Sequence, residues 1–451
     1  MRDLVVVALI LFLYFLSMRS AYSACLMYWW FNIFRPQDWV WSDLSAFQLP
    51  FLATVIFFVV SFLKGYRPKV NDKLMFMMIG FWLLGTFASI LYGCSSDFQS
   101  VEPIKHLSLL FIALFLTIDI VKTKKQLFGL VCVVALSLAF YTGKGGISAI
   151  LSGGAVRYGV DNLGGMFSGS NGYAMGTAIL LFFMVFIFRH ADSFKEINWI
   201  PSFIKNRTYL IKGFMALMII GSIFNVISLF SRASAIALAC GFFVLYLLSN
   251  KKLQVFVIVL PILFILASTV PIPDGYKDRI RSAFAETEEL DESALSRPYY
   301  WKIATEIVRD HPTGVGLNCY RQYYNNYSNE RFGVSRDVHS SHFNAFTDAG
   351  YAGILVWFML FFVSLTRLFS FRRLLNKHRT NLVNYSFYYH LCDAAIAAQI
   401  VYLLGGSFYT LTYMDLIWWI WGLTIILERL IKQEVEVTTD PETKSKLHGT
   451  L

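Results

Sequence analysis

Three residues of types suited to gripping an anion and moving a proton stand in separate polar breaks of an otherwise apolar chain. Arg232 lies in ISLFSRASAIAL, between two apolar runs with almost no loop between them, and Arg297 heads the segment SRPYYW. His339 opens HSSHFNAFTDAG at residues 339–350. A guanidinium presents a planar fork of donors suited to phosphate oxygens. An imidazole with an unperturbed pKa near 6.5 is the natural general base near neutral pH. Together these types describe binding of a phosphate-bearing lipid and activation of a hydroxyl. Each also has a plainer alternative: Arg232 as a snorkelling structural cation, Arg297 as a surface arginine, His339 as a structural histidine with His342 as a rival one turn away. Lys105, at the outer start of an apolar run, is either a further cation of the site or an interfacial lysine. Lys144 and Arg157 belong to a glycine-rich stretch, 143–171, that reads equally as an anion cradle or a flexible connector.

The elements that must position these residues are membrane helices. The chain has 451 residues, 56% hydrophobic and 15% charged, with a mean hydropathy of +0.54, well outside the range of a water-soluble domain. Apolar runs able to cross roughly 30 Å of hydrocarbon occur near 45–63, 74–93, 104–121, 126–142, 172–188, 209–230, 233–249, 253–271, 351–370, 388–404 and 411–428, with shorter ones at 4–17 and 21–34. The sequence therefore predicts an all-α polytopic integral membrane protein of twelve or thirteen transmembrane helices. Its formal charge of +10 does not point to nucleic acid, because the basic residues fill alternate loops: Lys64 to Lys73, Lys122 to Lys125, Arg189 to Lys212, Lys251 and Lys252, and Arg367 to Arg379. The positive-inside rule puts these loops in the cytoplasm. The segments between them face outward, including one long polar stretch. The expected organisation is thus 1–271 as N-terminal transmembrane helices, 272–350 as a large outer loop, 351–432 as C-terminal transmembrane helices and 433–451 as a cytoplasmic tail. Of six cysteines, only Cys94 and Cys319 fall in outward segments, where a disulfide is conceivable.

Within the outer loop, Ser296 reads as an N-cap with Pro298 in the first turn of a helix ending at His311-Pro312. HPTGVGLNCY supplies a turn. A second helix is expected from about 339, carrying His339, His342 or Phe343, and Phe346 on one face, with Gly350 marking re-entry into the membrane.

The pattern resembles the O-antigen ligase and Wzy-type polymerase superfamily. The matching residues are SRAS at 231–234, SRPYYW at 296–301, HPTGVGLNCY at 311–320 and His339 placed eleven residues before Gly350. A narrower likeness, to O-glycosylation ligases associated with exosortase systems, rests on MRDLVVV, the early FRPQDW, KGGISAILSGGAVRYG at 144–159, and KDRIRSAF followed by DESALSR at 291–297. The resemblance implies a GT-C-like membrane glycosyltransferase of the bacterial inner membrane, with its large loop and active site in the periplasm. The implied donor is a glycan on undecaprenyl pyrophosphate, the acceptor a hydroxyl of a lipid, glycan or protein, and the reaction inverting and without a metal or nucleotide cofactor. On the matching positions Arg232 and Arg297 hold the pyrophosphate and His339 activates the acceptor, with Lys105, Arg157 and Lys144 as secondary candidates. Many relatives carry His-Asn where this chain has His339-Ser340, which leaves the choice between His339 and His342 open. A polymerase using a second lipid-linked glycan as acceptor fits the same pattern. A transporter of polyprenyl-linked sugars is the third reading, although no internal repeat is visible.

Overall fold

The computed structural model describes residues 2–39, 48–94, 101–152, 167, 169–197, 201–229, 231–250, 252, 292–329, 333–334 and 336–439. Among them all regular structure is helical, as expected where the bilayer leaves backbone groups no partner but the chain itself. In chain order the main helices are α1 (Arg2–Ser17), α2 (Ala21–Phe34), α3 (Leu49–Leu63), α4 (Lys73–Tyr92), α5 (Val101–Ile120), α6 (Lys124–Leu151) and α7 (Gly169–Arg189). They continue as α8 (Thr208–Ser228), α9 (Arg232–Leu248), α10 (Glu292–Asp310), α11 (Tyr320–Tyr327), α12 (Ser341–Lys377), α13 (Tyr385–Gly405) and α14 (Asp415–Thr439). Every apolar run of the sequence coincides with a helix except 253–271, which lies outside the described residues. Among the described residues seven helices, α4 to α8, α12 and α13, are long and apolar enough to cross a membrane, and α1, α3 and α9 are shorter apolar helices. In α14 the apolar stretch is followed at once by Glu428 and Arg429.

Burial separates a lipid-facing shell from an interior. Large apolar side chains stay exposed on α4 (Phe87), α8 (Phe214), α9 (Phe243) and α12 (Phe362), an arrangement unfavourable in water and free of cost against acyl chains. The apolar spans of α7 and α13 are instead 83% and 78% buried and form the centre of the bundle. Trp357, Trp418 and Trp421 pack edge to face there, with ring centroids 5.0 to 5.8 Å apart.

Glycines set the closest helix crossing. A Cβ on Gly146 of α6 would stand 1.6 Å from the Gly221 carbonyl oxygen of α8, and one on Gly221 would stand 2.5 Å from the Gly143 carbonyl oxygen. Small residues let two backbones meet in this way, and Thr142 and Ser222 share a 2.6 Å hydrogen bond across the contact. This corrects the loop expected from residue 143 onward: residues 143–151 continue α6, and Lys144 is an exposed residue of that helix. Glycine content alone does not distinguish a flexible segment from a helix face pressed against its neighbour. At 1.5 Å per residue α6 is about 42 Å long, enough to pass through the hydrocarbon and project beyond it.

The helix ends sort into two groups. At one end lie the ion pairs Arg367 with Asp72 (2.8 Å), Arg372 with Asp393 (2.7 Å) and Lys124 with Glu196 (2.6 Å). At the other, Cys94 after α4 is joined to Cys319 by a disulfide, so the pair that the sequence left open is formed. There α10 begins at Glu292, placing Ser296 and Pro298 inside the helix and not at its start as expected. The sequence Glu292-Ser-Ala-Leu ahead of them is good helix former with an acid in the first turn, so the helix nucleates upstream of the proline.

Substituting Gly146 by alanine should force α6 and α8 apart and destabilise the protein by about 1–3 kcal/mol, as overpacking does. The same change at Gly80, whose Cβ would meet nothing within 4 Å, should leave stability unchanged or slightly raised. Melting of the purified protein in detergent compares the two; equal melting temperatures would mean the crossing is looser than described.

Candidate active site

The disulfide end is organised by a break in α12. Gly350 has φ 64° and ψ −157° inside this helix, a conformation glycine adopts without steric cost. The break frees carbonyls, and the preceding turn supplies donors: Val315 N–H donates to the Thr347 carbonyl (2.8 Å), Gly316 N–H to Asp348 (3.2 Å), and Tyr351 N–H returns to Pro312 (3.1 Å). A Cβ on Gly350 would stand 2.0 Å from the Pro312 oxygen. The predicted turn HPTGVGLNCY is therefore the cap of the α12 break. On its other side Leu317 N–H donates to Ser89 of α4 (2.9 Å) and Tyr323 hydroxyl to the Tyr92 carbonyl (2.8 Å).

Fully buried Asp348 joins this cap to the segment between α13 and α14. Its carboxylate accepts from Asn344 (2.5 Å), from the Asn318 backbone (3.0 Å) and from the Tyr413 hydroxyl (2.5 Å). The same segment, residues 406–414, receives Ser341 N–H at the Gly406 carbonyl (2.7 Å) and the Ser341 hydroxyl at the Tyr409 carbonyl (2.6 Å). It also meets the first turn of α9, where the Tyr409 and Ser231 hydroxyls lie 2.7 Å apart.

Two of the sequence candidates approach one another on this frame, and the third is beside it. Arg297 of α10 sits over the Phe408 ring at 5.6 Å, and Trp301, one turn on, lies 6.3 Å from the same ring and stacks on Phe343 at 5.5 Å. Tyr300 of the same helix lies 5.8 Å from the His339 imidazole. Arg232 is half-buried at the first helical position of α9, next to the Ser231 that contacts Tyr409. Lys105 is exposed on α5; its neighbour His106 lies 3.2 Å from the Tyr413 carbonyl and 2.9 Å from Asp415. Lys105 is thus at the same end but makes no contact that joins it to His339. Arg157 lies outside the described residues.

The histidine pair separates by geometry. His339 is not on α12 as expected: its φ of 48° is left-handed, and the helix is capped by Ser340, whose hydroxyl accepts from Phe343 N–H. His342 is on the helix, with both ring nitrogens engaged. Trp357 Nε1 donates to its Nδ1 (3.0 Å), so its Nε2 is the donor to the Leu403 carbonyl (2.9 Å). Among the described residues the His339 ring has no hydrogen-bond partner. Burial pushes its imidazole below the ordinary value of 6.5; Asp337 opposes this, while Arg297, Arg321 and Arg336 reinforce it. Three guanidiniums against one carboxylate make the surroundings of His339 an anion-attracting region. Arg321 and Arg336 escaped the sequence reading because nothing in their local pattern sets them apart from other polar-loop arginines. The 406–414 segment escaped it because the segment is short and carries no basic residue.

The matches to known families fall on these elements. Residues 214–358, roughly a third of the chain, match the family model described as O-antigen ligase. This stretch is similar to the O-antigen ligase family. The ligase stretch runs from within α8 to within α12 and contains Arg232, Arg297 and His339, whereas 406–414 lies beyond it. Residues 1–191 match a family of unknown function. No curated protein matches the chain. The match supports a glycosyl-transfer enzyme of ligase or polymerase type acting on a lipid-linked glycan and an acceptor. Among the described residues no three His, Cys, Asp or Glu side chains gather as metal ligands.

Serine at both Cys94 and Cys319 should lower the melting temperature of the protein, since the bridge closes a loop across 225 residues and such links typically contribute about 2–5 kcal/mol. Reductant should lower the melting temperature of the parent protein and leave the double variant unmoved. A parent melt insensitive to reductant under partly denaturing conditions would contradict the pairing.

Proposed function

We propose that the protein transfers a glycan from undecaprenyl pyrophosphate to an acceptor hydroxyl at the disulfide-bonded face of the membrane, which faces the periplasm. The observation that carries this reading is the meeting of Arg297 and His339 around α10, at a helix junction that also abuts the first turn of α9. The disulfide supports the orientation, because such bonds persist in oxidising compartments, and so does the collection of basic residues at the opposite end.

In this mechanism Arg297 and Arg232, helped by Arg321 and Arg336, hold the pyrophosphate oxygens. The backbone N–H groups at the start of α9 add to the positive potential there. His339 takes the proton of the acceptor hydroxyl as its oxygen forms the new bond to the anomeric carbon. The bond from that carbon to the phosphate oxygen breaks, and the electron pair leaves with undecaprenyl pyrophosphate. Attack opposite the leaving group inverts the anomeric centre. The arginines stabilise the charge that develops on the departing pyrophosphate, and a positioned base supplies the remainder. The depressed basicity of His339 favours the neutral imidazole that a base requires. His342 cannot fill this role while Trp357 and the Leu403 carbonyl occupy its nitrogens.

His339→Ala should reduce transfer of a lipid-linked glycan by about 10²–10⁴-fold, the usual contribution of a general base, while membrane insertion and melting stay as in the parent. Transfer at the parent rate would remove His339 from the mechanism. His342→Ala should behave oppositely, lowering the melting temperature while a purified fraction still turns over.

The pH profile offers an independent check. A base held below 6.5 by burial and neighbouring cations is deprotonated above its pKa, so kcat/KM should lie on a plateau at neutral pH and fall only on the acid side of 6.5. An acid limb centred above 6.5 would point to a different base.

A further inference from the structure

Phe408 and Tyr409 are adjacent residues, and each meets an element that carries one of the two arginines assigned to the pyrophosphate. The Phe408 ring lies under the Arg297 guanidinium at 5.6 Å and beside Trp301, one turn further along α10, at 6.3 Å. This ring is 38% exposed. A large apolar ring left partly open at a polar end of the bundle has a use when a cation covers its face, because the ring quadrupole attracts a guanidinium. Tyr409 is buried and reaches the helix of the other arginine. Ser231, the N-cap of α9, donates its hydroxyl proton to Ser234 Oγ (2.7 Å) and accepts the Ser234 backbone N–H (3.3 Å). A serine hydroxyl has one proton, so in the 2.7 Å contact between Tyr409 and Ser231 the tyrosine is the donor. Arg232 follows Ser231 directly and takes its place at the start of α9 from that cap. The backbone of the segment is tied down as well: the Ser341 hydroxyl donates to the Tyr409 carbonyl (2.6 Å) and accepts from Leu411 N–H (2.9 Å).

Resting on the reading of both arginines as the pyrophosphate-binding pair, we propose that Phe408 and Tyr409 are positioning residues that set the spacing between Arg297 and Arg232. Phe408 fixes the approach of Arg297 through its ring face. Tyr409 fixes the start of α9 through Ser231, and α12 anchors both through Ser341. Two phosphates joined by one bridging oxygen present their charges at a fixed separation. A pair of guanidiniums therefore serves the departing group best when its own spacing is set in advance. Neither residue touches the donor; each acts through its arginine. An aromatic ring that served only as an anchor at the membrane surface would act independently of Arg297, and this is the difference that experiment can read.

The test is a double-mutant cycle on the purified full chain, with a lipid-linked glycan as donor. Phe408→Leu keeps an apolar side chain beside Trp301 and removes the ring face; it should lower kcat/KM about fivefold, the order that one cation–π contact supplies. Phe408→Tyr, which keeps the ring face, should restore the parent rate. Phe408→Leu should have no further effect in an Arg297→Gln background and its full effect in an Arg232→Gln background, whereas Tyr409→Phe should show the reverse pattern. A merely structural role would give the same loss in every background. Equal losses in both backgrounds, a Phe408→Tyr rate as low as that of Phe408→Leu, or Phe408→Leu at the parent rate would each overturn the proposal. Should Tyr409→Phe fail to accumulate, the partly exposed Phe408 decides alone. Parent-rate transfer by Arg297→Gln and Arg232→Gln would instead remove the pyrophosphate-binding reading, and the positioning role with it.

Discussion

Everything at the outer end depends on the single break of α12 at Gly350. A continuous helix here would carry residues 341–349 onward in line with the membrane segment and leave the loop helices without a seat. The break costs hydrogen bonds at Thr347 and Asp348, and an unpaired buried carbonyl costs about 1–3 kcal/mol. Val315 and Gly316 restore both bonds, and they can do so only because Gly314, Gly316 and Gly350 all have positive φ and no Cβ in the way. A polar loop and a membrane helix thereby become one unit. The disulfide and the Ser89 hydrogen bond fasten that unit to α4, so the loop is held from two sides.

The segment 406–414 distributes this constraint. Asp348 and Ser341 hold it against α12, Tyr409 carries it to Ser231 on α9, and Tyr413 carries it to His106 on α5. The contacts of Asp348, Ser341 and Ser231 are hydrogen bonds from buried side chains, which are strong in a low dielectric and costly to leave unmade, while that of His106 lies at the exposed edge. Three helices are positioned relative to one another by nine residues. Phe408 at the centre then presents its face to Arg297. Bonding of this kind favours a preorganised cation cluster over one assembled by flexible loops, and electrostatic stabilisation of a leaving group depends on that preorganisation.

How far the sequence foretold this arrangement varies with the kind of signal. Hydropathy marked every described helix of the bundle, because lipid and interior both demand apolar side chains over a fixed length. Gly350 as the point of re-entry was legible, since a glycine ending a helical pattern beside an apolar run has few other uses. The glycines of 143–146 were misread, because close packing and flexibility demand the same residue. The start of α10 lies upstream of the serine and proline because Glu292, Ala294 and Leu295 ahead of them are good helix formers. The link through 406–414 was invisible, since its hydrogen bonds are made by common residues whose partners lie 65 to 307 positions away. The convergence of distant residues is a tertiary fact, and no local pattern encodes it.

The placement of the two histidines separates a paired ring on the helix from an unpaired one beside it. A residue on the inner part of α12 faces Trp357 and α13, where every polar atom must be paired, and His342 is paired at both nitrogens. Its ring orientation is fixed by the needs of the core, which leaves no lone pair for a substrate. His339 lies two residues before that helix, and its left-handed backbone turns the chain away from the α12 face toward α10. Histidine tolerates this conformation better than β-branched residues do, and backbone of this kind clusters at functional sites. Ser340 caps the helix immediately afterwards, so the strained residue is followed at once by a rigid one. The imidazole therefore has no hydrogen-bond partner among the described residues, and burial, reinforced by the neighbouring arginines against Asp337, lowers its basicity. On the proposed reading a base needs both conditions, and of these two histidines the one off the helix supplies them.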